Sequence, residues 1–383
     1  MALKAVHVSD VPNLDLVPEG PTIAVASSLL PKGMEVVKSA FKPAKFVVIG
    51  HRGKGMNALA SPDRRMKEIK ENSILSFNHA GRFPVDFVEF DVQVTRDDCP
   101  IIFHDNFILT EEDGNISEKR VTDLTMEEFL SYGPQREPGK VGKTLFRKTK
   151  DGRVFDWNVE VDDPLCTLEE VFQRVDSHLG FNIELKFDDN LVFQEEQLTH
   201  ILQVILQVVC KYANERTIIF SSFQPDAAQL IRKLQDTYPV FFLTNGGSEI
   251  YSDVRRNSLD EAIKLCLAGG LQGIVSEVKA IFRNPSMIPR IKESNLALLT
   301  YGQLNNVPEA VYMQHLMGIN GVIVDLVQEI AEAVSDFINP ETVGDESLSN
   351  SVKEEKAKES TKLEFSQGEL SFLMRLIPEL VQQ

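Results

Sequence analysis

The chain has 383 residues, of which 43% are hydrophobic, and a formal net charge of −17 at pH 7. This length and composition allow one large α/β barrel or two smaller domains. So acidic a surface repels phosphate backbones and anionic lipids, which argues against nucleic-acid binding and electrostatic membrane binding. No apolar run is long enough to span a bilayer, and we therefore expect no stable membrane insertion.

The four cysteines form neither a CxxC pair nor a His/Cys cluster with zinc spacing. Free thiols in a reducing compartment are the expected state, so we predict a soluble intracellular protein. Residues 1–44 contain scattered Pro and Ser with little periodicity. We interpret them as a flexible extension or a transit segment. Their acidic residues argue against the transit segment, and cytoplasm and plastid both stay open.

Short β-branched and aromatic runs alternate with helical patterns between residues 46 and 338. Nine strands are predicted, at Phe46–Gly50, Phe87–Val94, Ile101–His104, Phe181–Lys186, Thr217–Phe223, Val240–Thr244, Gly273–Ser276, Leu296–Tyr301 and Gly321–Asp325. Helices are predicted to begin near Asn72, Thr167, Glu195, Asp226, Asn257, Pro285, Pro308 and Gln328. Several strands are continuous apolar runs, which is typical of parallel strands covered by helices.

The connection between the second and third predicted strands is unlike the others. Only the residues from Thr95 to Pro100 join these strands, whereas a parallel crossover needs a dozen or more residues. The pair is therefore predicted to form an antiparallel hairpin. Each of the other eight strands is followed in the sequence by a helical segment. This alternation predicts a TIM (β/α)8 barrel with a β-hairpin insertion after the second strand.

Two rim loops, residues 53–70 and 106–165, are longer than a barrel requires. Long loops in compact domains are usually functional lids or disordered inserts. We interpret both as lids, because both follow strands that carry candidate catalytic residues. The barrel domain is predicted to span residues 45–338.

Residues 339–383 form a third predicted segment. Its first part is rich in Ser, Glu and Lys and is expected to be disordered. An amphipathic helix is predicted over Phe365–Val381. Its apolar face either docks on the barrel or mediates oligomerisation, since its polar face lacks the basic cluster of a membrane-binding helix.

Polar side chains follow the first two strands. His51 and Arg52 end the first strand, and the C-terminal strand ends of a TIM barrel form its active-site rim. Glu89 and Asp91 lie two residues apart on the second strand, so both side chains leave the same face. Adjacent carboxylates repel each other unless a cation or a shared proton lies between them, and a divalent metal is the simpler solution.

The third barrel strand carries a carboxylate and a cation, Glu184 and Lys186, on one face. With Glu89 and Asp91, Glu184 completes a set of oxygen ligands that suits Mg²⁺ or Ca²⁺ rather than zinc. Arg52 and Lys186 provide the local positive charge that a phosphodiester needs in an acidic protein.

The predicted hairpin adds a second histidine to this group. If Asp97-Asp98 forms a two-residue turn, Asp91 lies directly opposite His104, and such pairs share a face with Cβ atoms roughly 4.5–5.5 Å apart. Asp105 then points to the other face. A slip of one residue would reverse this arrangement, so the register is a prediction.

Each of these features also has a purely structural explanation. A strand-end histidine is more often a hydrogen-bonded structural residue than a catalyst. Glu89 and Asp91 alone could form a solvated edge, and Glu184 with Lys186 could be a surface ion pair worth about 0–1 kcal/mol. Their convergence with two histidines and an arginine at neighbouring strand ends favours an active site.

Five motifs in this part of the chain resemble those of the glycerophosphodiester phosphodiesterase family, in order and at fitting spacing. They are His51-Arg52-Gly53, Glu71-Asn72-Ser73, Glu89-Phe90-Asp91, His104-Asp105 and Glu184-Leu185-Lys186. The resemblance covers about residues 46–338. The long second loop and Leu299-Thr300-Tyr301-Gly302 resemble the soluble plant branch.

The resemblance implies a metal-dependent enzyme that cuts a small glycerophosphodiester to sn-glycerol 3-phosphate and an alcohol. It implies that the metal, Mg²⁺ or alternatively Ca²⁺, is bound by Glu89, Asp91 and Glu184, that His51 and His104 are the acid–base pair, and that Arg52 and Lys186 contact the phosphate. Glu71 is expected to shape the site, whereas N-capping of a helix explains Asn72. The family commonly has Trp where this chain has Leu299, and Tyr301 is the candidate replacement.

Two other functions stay open at this point. A phospholipase C- or D-like phosphodiesterase shares the barrel and the metal ligands but acts on intact lipid. A non-catalytic phosphate-binding barrel is the second alternative. Head groups such as choline and ethanolamine are not ranked by the sequence.

Overall fold

The computed structural model of the chain describes residue 43 and residues 45–338. Its strands are β1 (Val47–Gly50), β2 (Phe87–Val94), β3 (Pro100–Ile102), β4 (Phe107–Glu112), β5 (Asn115–Arg120), β6 (Phe146–Lys148), β7 (Val154–Asp156), β8 (Gly180–Leu185), β9 (Ile218–Ser222), β10 (Val240–Thr244), β11 (Gly273–Glu277), β12 (Ala297–Tyr301) and β13 (Gly321–Val324). Its α-helices are α1 (Ile74–Ala80), α2 (Met126–Leu130), α3 (Leu168–Arg174), α4 (Glu195–Tyr212), α5 (Pro225–Leu234), α6 (Leu259–Gly269), α7 (Val278–Arg283), α8 (Met287–Glu293), α9 (Pro308–Met317) and α10 (Val327–Ile338). Short 3₁₀ helices occur at Arg64–Lys67, Val121–Asp123, Val254–Arg256 and Gln303–Asn306.

The predicted N-terminal extension, apart from residue 43, lies outside the described residues. The linker and amphipathic helix predicted within residues 339–383 also lie outside them. In the part of the chain that is described, no helix has the length and apolar character needed to cross a lipid bilayer.

Eight parallel strands form a closed barrel in the order β1, β2, β8, β9, β10, β11, β12, β13. The ring closes because β13 pairs with β1, with Val47 beside Gly321. At least one α-helix follows every barrel strand before the next barrel strand begins. The TIM (β/α)8 prediction is confirmed, and each of the nine predicted strands matches an observed strand to within two residues at both ends.

The side chains of β2 alternate between the two faces of the strand, so this strand contributes to both the apolar core and the site. Every residue of this strand is buried. Val88, Phe90 and Val92 pack in the large apolar cluster that the strands share with the outer helices. Phe87 belongs instead to the cluster inside the barrel. Because successive side chains leave opposite faces of a strand, the carboxylates at positions 89 and 91 share the inner face with Phe87.

The hairpin after β2 is confirmed, but its register is one residue away from the prediction. Val92 pairs with Ile102, and the amide of Phe103 donates to the carbonyl of Asp91 at 3.0 Å. Asp91 is therefore opposite Phe103 and not the following histidine. The turn has three residues instead of two, since Asp98 adopts the left-handed conformation (φ 59°) that closes such hairpins.

The second rim loop, residues 106–165, is a folded insertion with its own strands, and its interpretation as a lid stays a prediction. Its four antiparallel strands lie in the order β5, β4, β6, β7. It shares an apolar core with the hairpin, formed by Ile101, Phe103, Ile108, Val121, Leu124, Phe129, Tyr132, Leu145, Trp157 and Leu165. Trp157, the only tryptophan of the chain, is 4% exposed. This packing joins the insertion to the hairpin at the barrel rim.

Candidate active site

Three carboxylates converge at the C-terminal ends of β2 and β8. The parallel pairing of these strands places Asp91 beside Glu184, and Glu89 lies two residues earlier on β2. One oxygen of each carboxylate lies within 4.8 Å of the other two. All three residues are buried. The structure thus assembles the predicted group of carboxylates in one place.

Two oxygens of this carboxylate cluster lack, in the described part of the chain, the donors that usually satisfy buried oxygens. Glu89 Oε1 and Asp91 Oδ1 have no hydrogen-bond partner among the described residues. Burial and the Asp91 charge raise the pKa of Glu89, and burial raises the pKa of Glu184. A bound cation would satisfy the oxygens and favour the charged carboxylates. The donor set therefore fits a divalent metal that takes oxygen ligands, such as Mg²⁺ or Ca²⁺.

Lys186 lies at the edge of the carboxylate cluster. Its Nζ is 2.9 Å from Glu184 Oε1 and 3.6 Å from Asp91 Oδ1. Burial lowers the pKa of Lys186, but the two carboxylates raise it by more, and the net shift is upward. The amine is therefore charged at neutral pH and provides one cation beside the cluster.

Arg52 provides a second cation from the turn after β1. Its backbone amide donates to Glu89 Oε2 at 2.9 Å, and its Nε lies 3.4 Å from Asp91 Oδ2. The backbone of Arg52 is left-handed (φ 52°), a conformation that is uncommon for a residue with a side chain. Gly53 follows with φ 93°, and a Cβ there would lie 2.5 Å from a side-chain oxygen of α1. Only glycine fits this second position of the turn.

His51 lies between two carboxylates. Its Nδ1 is 2.7 Å from Asp325 Oδ1, and its Nε2 is 3.9 Å from Glu89 Oε2. Burial lowers the pKa of His51, but the Asp325 and Glu89 carboxylates outweigh burial and the net shift is upward. Asp325 also accepts from the amide of Met56 at 3.1 Å and from Asn306 Nδ2 at 3.0 Å. These bonds hold the carboxylate in position to orient His51.

His104 has the opposite electrostatic environment. Burial, together with the charges of Arg52 and Lys186, lowers its pKa to about 4. Asp91 acts against this shift, so His104 belongs to the same group of charges although the hairpin register differs from the prediction. Its Nδ1 lies 2.7 Å from Asp105 Oδ1. Asp105 thus does not point away, as we predicted, but accepts from the histidine.

Glu71 lies beside the carboxylate cluster and is not a member of it. Its Oε1 accepts from Arg52 Nη1 at 2.8 Å, and its Oε2 accepts from Arg147 Nη1 at 2.9 Å. Burial raises the pKa of Glu71, but the two guanidinium groups lower it to about 2. Glu71 therefore holds two arginines beside the carboxylate cluster, and its expected site-shaping role stays a prediction.

Asn72 contacts the site directly, and the prediction that it caps α1 is wrong. The N-cap is Ser73, whose hydroxyl accepts the capping bond. Asn72 is left-handed (φ 53°), and its Nδ2 donates to Asp91 Oδ2 at 2.8 Å. Asn and Ser are about equally good N-caps, so the choice between these neighbours is not decided by residue type.

A cavity of about 200 Å³ opens beside Glu184 and Lys186. Its other lining residues are Leu185, Phe187, Asp189, Phe223, Gln224, Asn245, Tyr251 and Arg256. Tyr301 stacks edge-on against Phe223, with ring centroids 6.0 Å apart, and its hydroxyl donates to Asn245 Oδ1. Tyr301 therefore supports the aromatic wall of this cavity, whereas Leu299 is buried inside the barrel.

Two further side chains of the site were not predicted. Asp325 follows the eighth barrel strand, and its location at a C-terminal strand end was an available signal. Arg147 lies on β6 in the insertion. It contacts Glu71 and Asp105, which precede it in the sequence by 76 and 42 positions. No local pattern indicates such a contact, because it depends on how the insertion packs against the rim.

The chain matches a known family over most of its length. Residues 51–329 match the Glycerophosphoryl diester phosphodiesterase family. The chain is 58% identical over 383 residues to glycerophosphodiester phosphodiesterase GDPD1, chloroplastic, of Arabidopsis thaliana, with all of both chains covered. It is 59% identical over 342 residues to glycerophosphodiester phosphodiesterase GDPD3 of the same plant. This alignment covers 88% of this chain and 91% of the relative.

Solved structures of lower identity share the fold. A phosphodiesterase from Oleispira antarctica, in complex with the product sn-glycerol-3-phosphate, matches 77% of this chain and 98% of its own with a TM-score of 0.53 at 18% identity. A glycerophosphodiester phosphodiesterase from Parabacteroides distasonis also matches 77% of this chain and 98% of its own, with a TM-score of 0.53 at 19% identity. Both likenesses concern the barrel architecture.

Proposed function

The chain belongs to the glycerophosphodiester phosphodiesterase family and is an enzyme of that type, and we propose that it hydrolyses glycerophosphodiesters to sn-glycerol 3-phosphate and an alcohol with a divalent metal and two histidines. One observation supports this mechanism above all. Buried carboxylate oxygens on Glu89 and Asp91, which have no hydrogen-bond partner among the described residues, lie beside two histidines whose surroundings shift their pKa values in opposite directions.

The metal would be held by Glu89, Asp91 and Glu184. Mg²⁺ is usually bound by few protein carboxylates together with substrate phosphate oxygens, so a small carboxylate set in an enzyme for phosphodiesters supports Mg²⁺ over Ca²⁺. When bound, the metal supplies Lewis acidity and neutralises charge that develops on the phosphate.

The two histidines divide acid and base catalysis between them. His104 is neutral at neutral pH because its pKa is lowered to about 4, so its ring can accept the proton of the nucleophile. His51 has a raised pKa, so its protonated ring can donate to the oxygen of the leaving alcohol. As the new P–O bond forms and the bond to the alcohol breaks, one proton is taken and one is given.

Arg52 and Lys186 would bind the phosphate and its developing charge. Each is a charged side chain next to the carboxylate cluster, and the side chains of Arg52 and Lys186 are 8% and 15% exposed. In a protein with a net charge of −17, these two cations provide the local field that attracts a phosphodiester anion. Tight ion pairs with Glu71 and Glu184 also fix their positions before the substrate arrives.

The nucleophile is either a water molecule or a free hydroxyl of the glycerol moiety. Attack by the glycerol hydroxyl passes through a cyclic glycerophosphate, which water then opens.

A plastid location, one of the two that the sequence leaves open, is compatible with the chloroplastic name of GDPD1. Residues 45–338 are the proposed catalytic domain, between the extension and the C-terminal segment.

The test is a metal-dependent assay with purified protein. After EDTA treatment, the protein is incubated with glycerophosphocholine or glycerophosphoethanolamine, with Mg²⁺ or Ca²⁺ restored separately, and glycerol 3-phosphate is measured with its dehydrogenase. We expect product only with metal, and a loss of about 100-fold or more in Glu89→Gln. Glu111→Gln, on the exposed surface of the insertion, is the control. Full activity in EDTA would contradict the metal, and no product from any glycerophosphodiester would contradict the reaction.

A further inference from the structure

Arg147 connects the insertion to two carboxylates at the edge of the site. Its Nη1 donates to Glu71 Oε2 and its Nη2 donates to Asp105 Oδ1, each at 2.9 Å. One guanidinium thus spans two carboxylates from different rim segments. A planar, forked guanidinium can make two such bonds at once in a fixed geometry.

Each of these carboxylates holds a side chain of the proposed reaction. The other oxygen of Glu71 accepts from Arg52 Nη1 at 2.8 Å. Asp105 lies 2.7 Å from His104 Nδ1. The geometry points to Arg147 as a positioning residue that fixes both the phosphate-binding Arg52 and the base His104. This inference rests on the proposed function, since it assigns a role within that reaction.

The surroundings of Arg147 keep its guanidinium in one place. Its side chain is 11% exposed, and its guanidinium lies 4.2 Å from the centroid of the Trp157 ring. Its Nη1 also donates to the carbonyl of Asn57 at 3.2 Å, and Trp157 Nε1 donates to Asn57 Oδ1 at 3.1 Å. Because Trp157 is part of the insertion core, the insertion itself orients Arg147.

Asp105 determines which nitrogen of His104 is available to a substrate. An ionised carboxylate only accepts hydrogen bonds, so Nδ1 carries the proton and Nε2 is left as the acceptor. Arg147 Nη2 and His104 Nδ1 both contact Oδ1 of this carboxylate, at 2.9 and 2.7 Å, so the guanidinium fixes the oxygen that the imidazole uses. Without the guanidinium, Asp105 can rotate, and His104 loses the contact that selects its tautomer.

If Arg147 only stabilised the insertion, its loss would unfold the insertion and lower activity together. The apolar core of the insertion contains ten buried residues, and Arg147 is not among them. Loss of the guanidinium should therefore leave the insertion folded while the site loses its geometry. Folding can be measured separately from activity and from the His104 tautomer. The chain has a single tryptophan, which lies in the insertion core, so its emission reports unfolding of the insertion.

The experiment compares Arg147→Met and Arg147→Lys with a control, Arg153→Met. Arg153 lies in the exposed turn between β6 and β7, where it pairs with Asp151. We expect Arg147→Met to lower kcat about 100-fold, with a smaller change in KM, and Arg147→Lys to recover only part of this loss because an ammonium cannot form the fork. Arg153→Met should have wild-type kinetics. A cooperative thermal unfolding transition, followed by Trp157 emission, establishes that the variants are folded.

The tautomer of His104 is read directly by two-bond ¹H–¹⁵N NMR on protein labelled with ¹⁵N-histidine, with His104→Gln for assignment. We expect Nδ1–H in the wild type and a mixture of tautomers in Arg147→Met. Wild-type kcat and an unchanged tautomer in folded Arg147→Met would overturn the inference. If Arg147→Met does not fold, folded Arg147→Lys with wild-type kcat and tautomer would overturn it equally. An inactive wild type whose His104 tautomer still depends on Arg147 would refute the proposed reaction and leave the positioning role standing.

Discussion

His51 Nδ1 lies 2.7 Å from Asp325 Oδ1, although 274 positions separate the two residues in the sequence. His51 follows β1, Asp325 follows β13, and these two strands pair to close the barrel. Closure of the barrel therefore orients the proposed catalytic acid. With Nδ1 bound to the carboxylate, the other ring nitrogen is on the side of Glu89.

Asp325→Asn tests this contact. Asp325 is the main group that raises the pKa of His51, so its neutralisation should lower that pKa and deplete the protonated acid at neutral pH. We expect kcat/KM to fall about 100-fold. The alkaline limb of its pH profile should move to lower pH, since a weaker pull on the proton lets His51 lose it earlier. Asp336→Asn, exposed on α10, is the control, and an unmoved alkaline limb would contradict the acid role of His51.

The second prediction concerns His104 in the metal-free protein. Its ring resonances should titrate near pH 4, because burial and two cations oppose its protonation. Lys186→Met removes one of these cations and should move the NMR titration of His104 upward. Lys148→Met, exposed on β6, should leave it unchanged. A midpoint near 6.5, the ordinary value for histidine, would show that the ring is not held neutral by its surroundings.

The third prediction is that Glu89 destabilises the metal-free fold. Its folded pKa is raised to about 8 by burial and by Asp91, so stability is lost as the pH rises from the unfolded value near 4.5 toward 8. At pH 8, Glu89→Gln should therefore be more stable than the wild type in EDTA by about 2 kcal/mol. At pH 4 the difference should vanish, because Glu89 is then protonated in both states.

Metal should reverse the order of these two proteins. A ligand that binds only the folded state stabilises it by about 2.7 kcal/mol at a hundred times its dissociation constant. Mg²⁺ or Ca²⁺ should thus raise the melting temperature of the wild type, while Glu89→Gln should show little response. The measurement is thermal unfolding at pH 8 with EDTA and with each ion. An equal rise in both proteins would place the ion elsewhere.

The barrel and the carboxylate cluster could be predicted because they depend on local periodicity. Alternation along β2 alone puts Glu89 and Asp91 on the inner face, and parallel pairing then brings Glu184 beside Asp91. The hairpin register could not be fixed in this way. It depends on the left-handed conformation of Asp98, which adds a third residue to the turn and shifts every pair by one position.

The remaining errors concern contacts that only the assembled fold creates. Arg147 reaches Glu71 and Asp105 because the insertion packs on the rim, and no pattern in residues 106–165 indicates this. The length of that segment indicated a long rim loop that we interpreted as a lid, and the sequence did not indicate the small apolar core that organises it. Sequence periodicity is weak in such short strands, and β6 and β7 contain three residues each.

The cavity beside Glu184 leads to the fourth prediction, which concerns the head group. The guanidinium of Arg256 lies 3.7 Å from the centroid of the Tyr251 ring and donates to both oxygens of Asp189, at 2.7 and 3.2 Å. An aromatic face and a carboxylate are the groups that bind a quaternary ammonium. In this cavity both are already occupied by the protein's own cation, which disfavours choline relative to an uncharged polyol.

Arg256→Gln removes the competing charge and should raise the ratio of kcat/KM for glycerophosphocholine over that for glycerophosphoglycerol about tenfold, since a cation–π contact of this kind is worth roughly 1–2 kcal/mol. Arg255→Gln is the matched control, because the neighbouring Arg255 pairs with Asp253 and Asp226 and does not line the cavity. Competition assays with both diesters in one vessel measure the ratio directly and cancel any loss of active protein. If the ratio is the same in the wild type and in both variants, the alcohol moiety does not enter this cavity, and its head group is selected on another side of the carboxylate cluster.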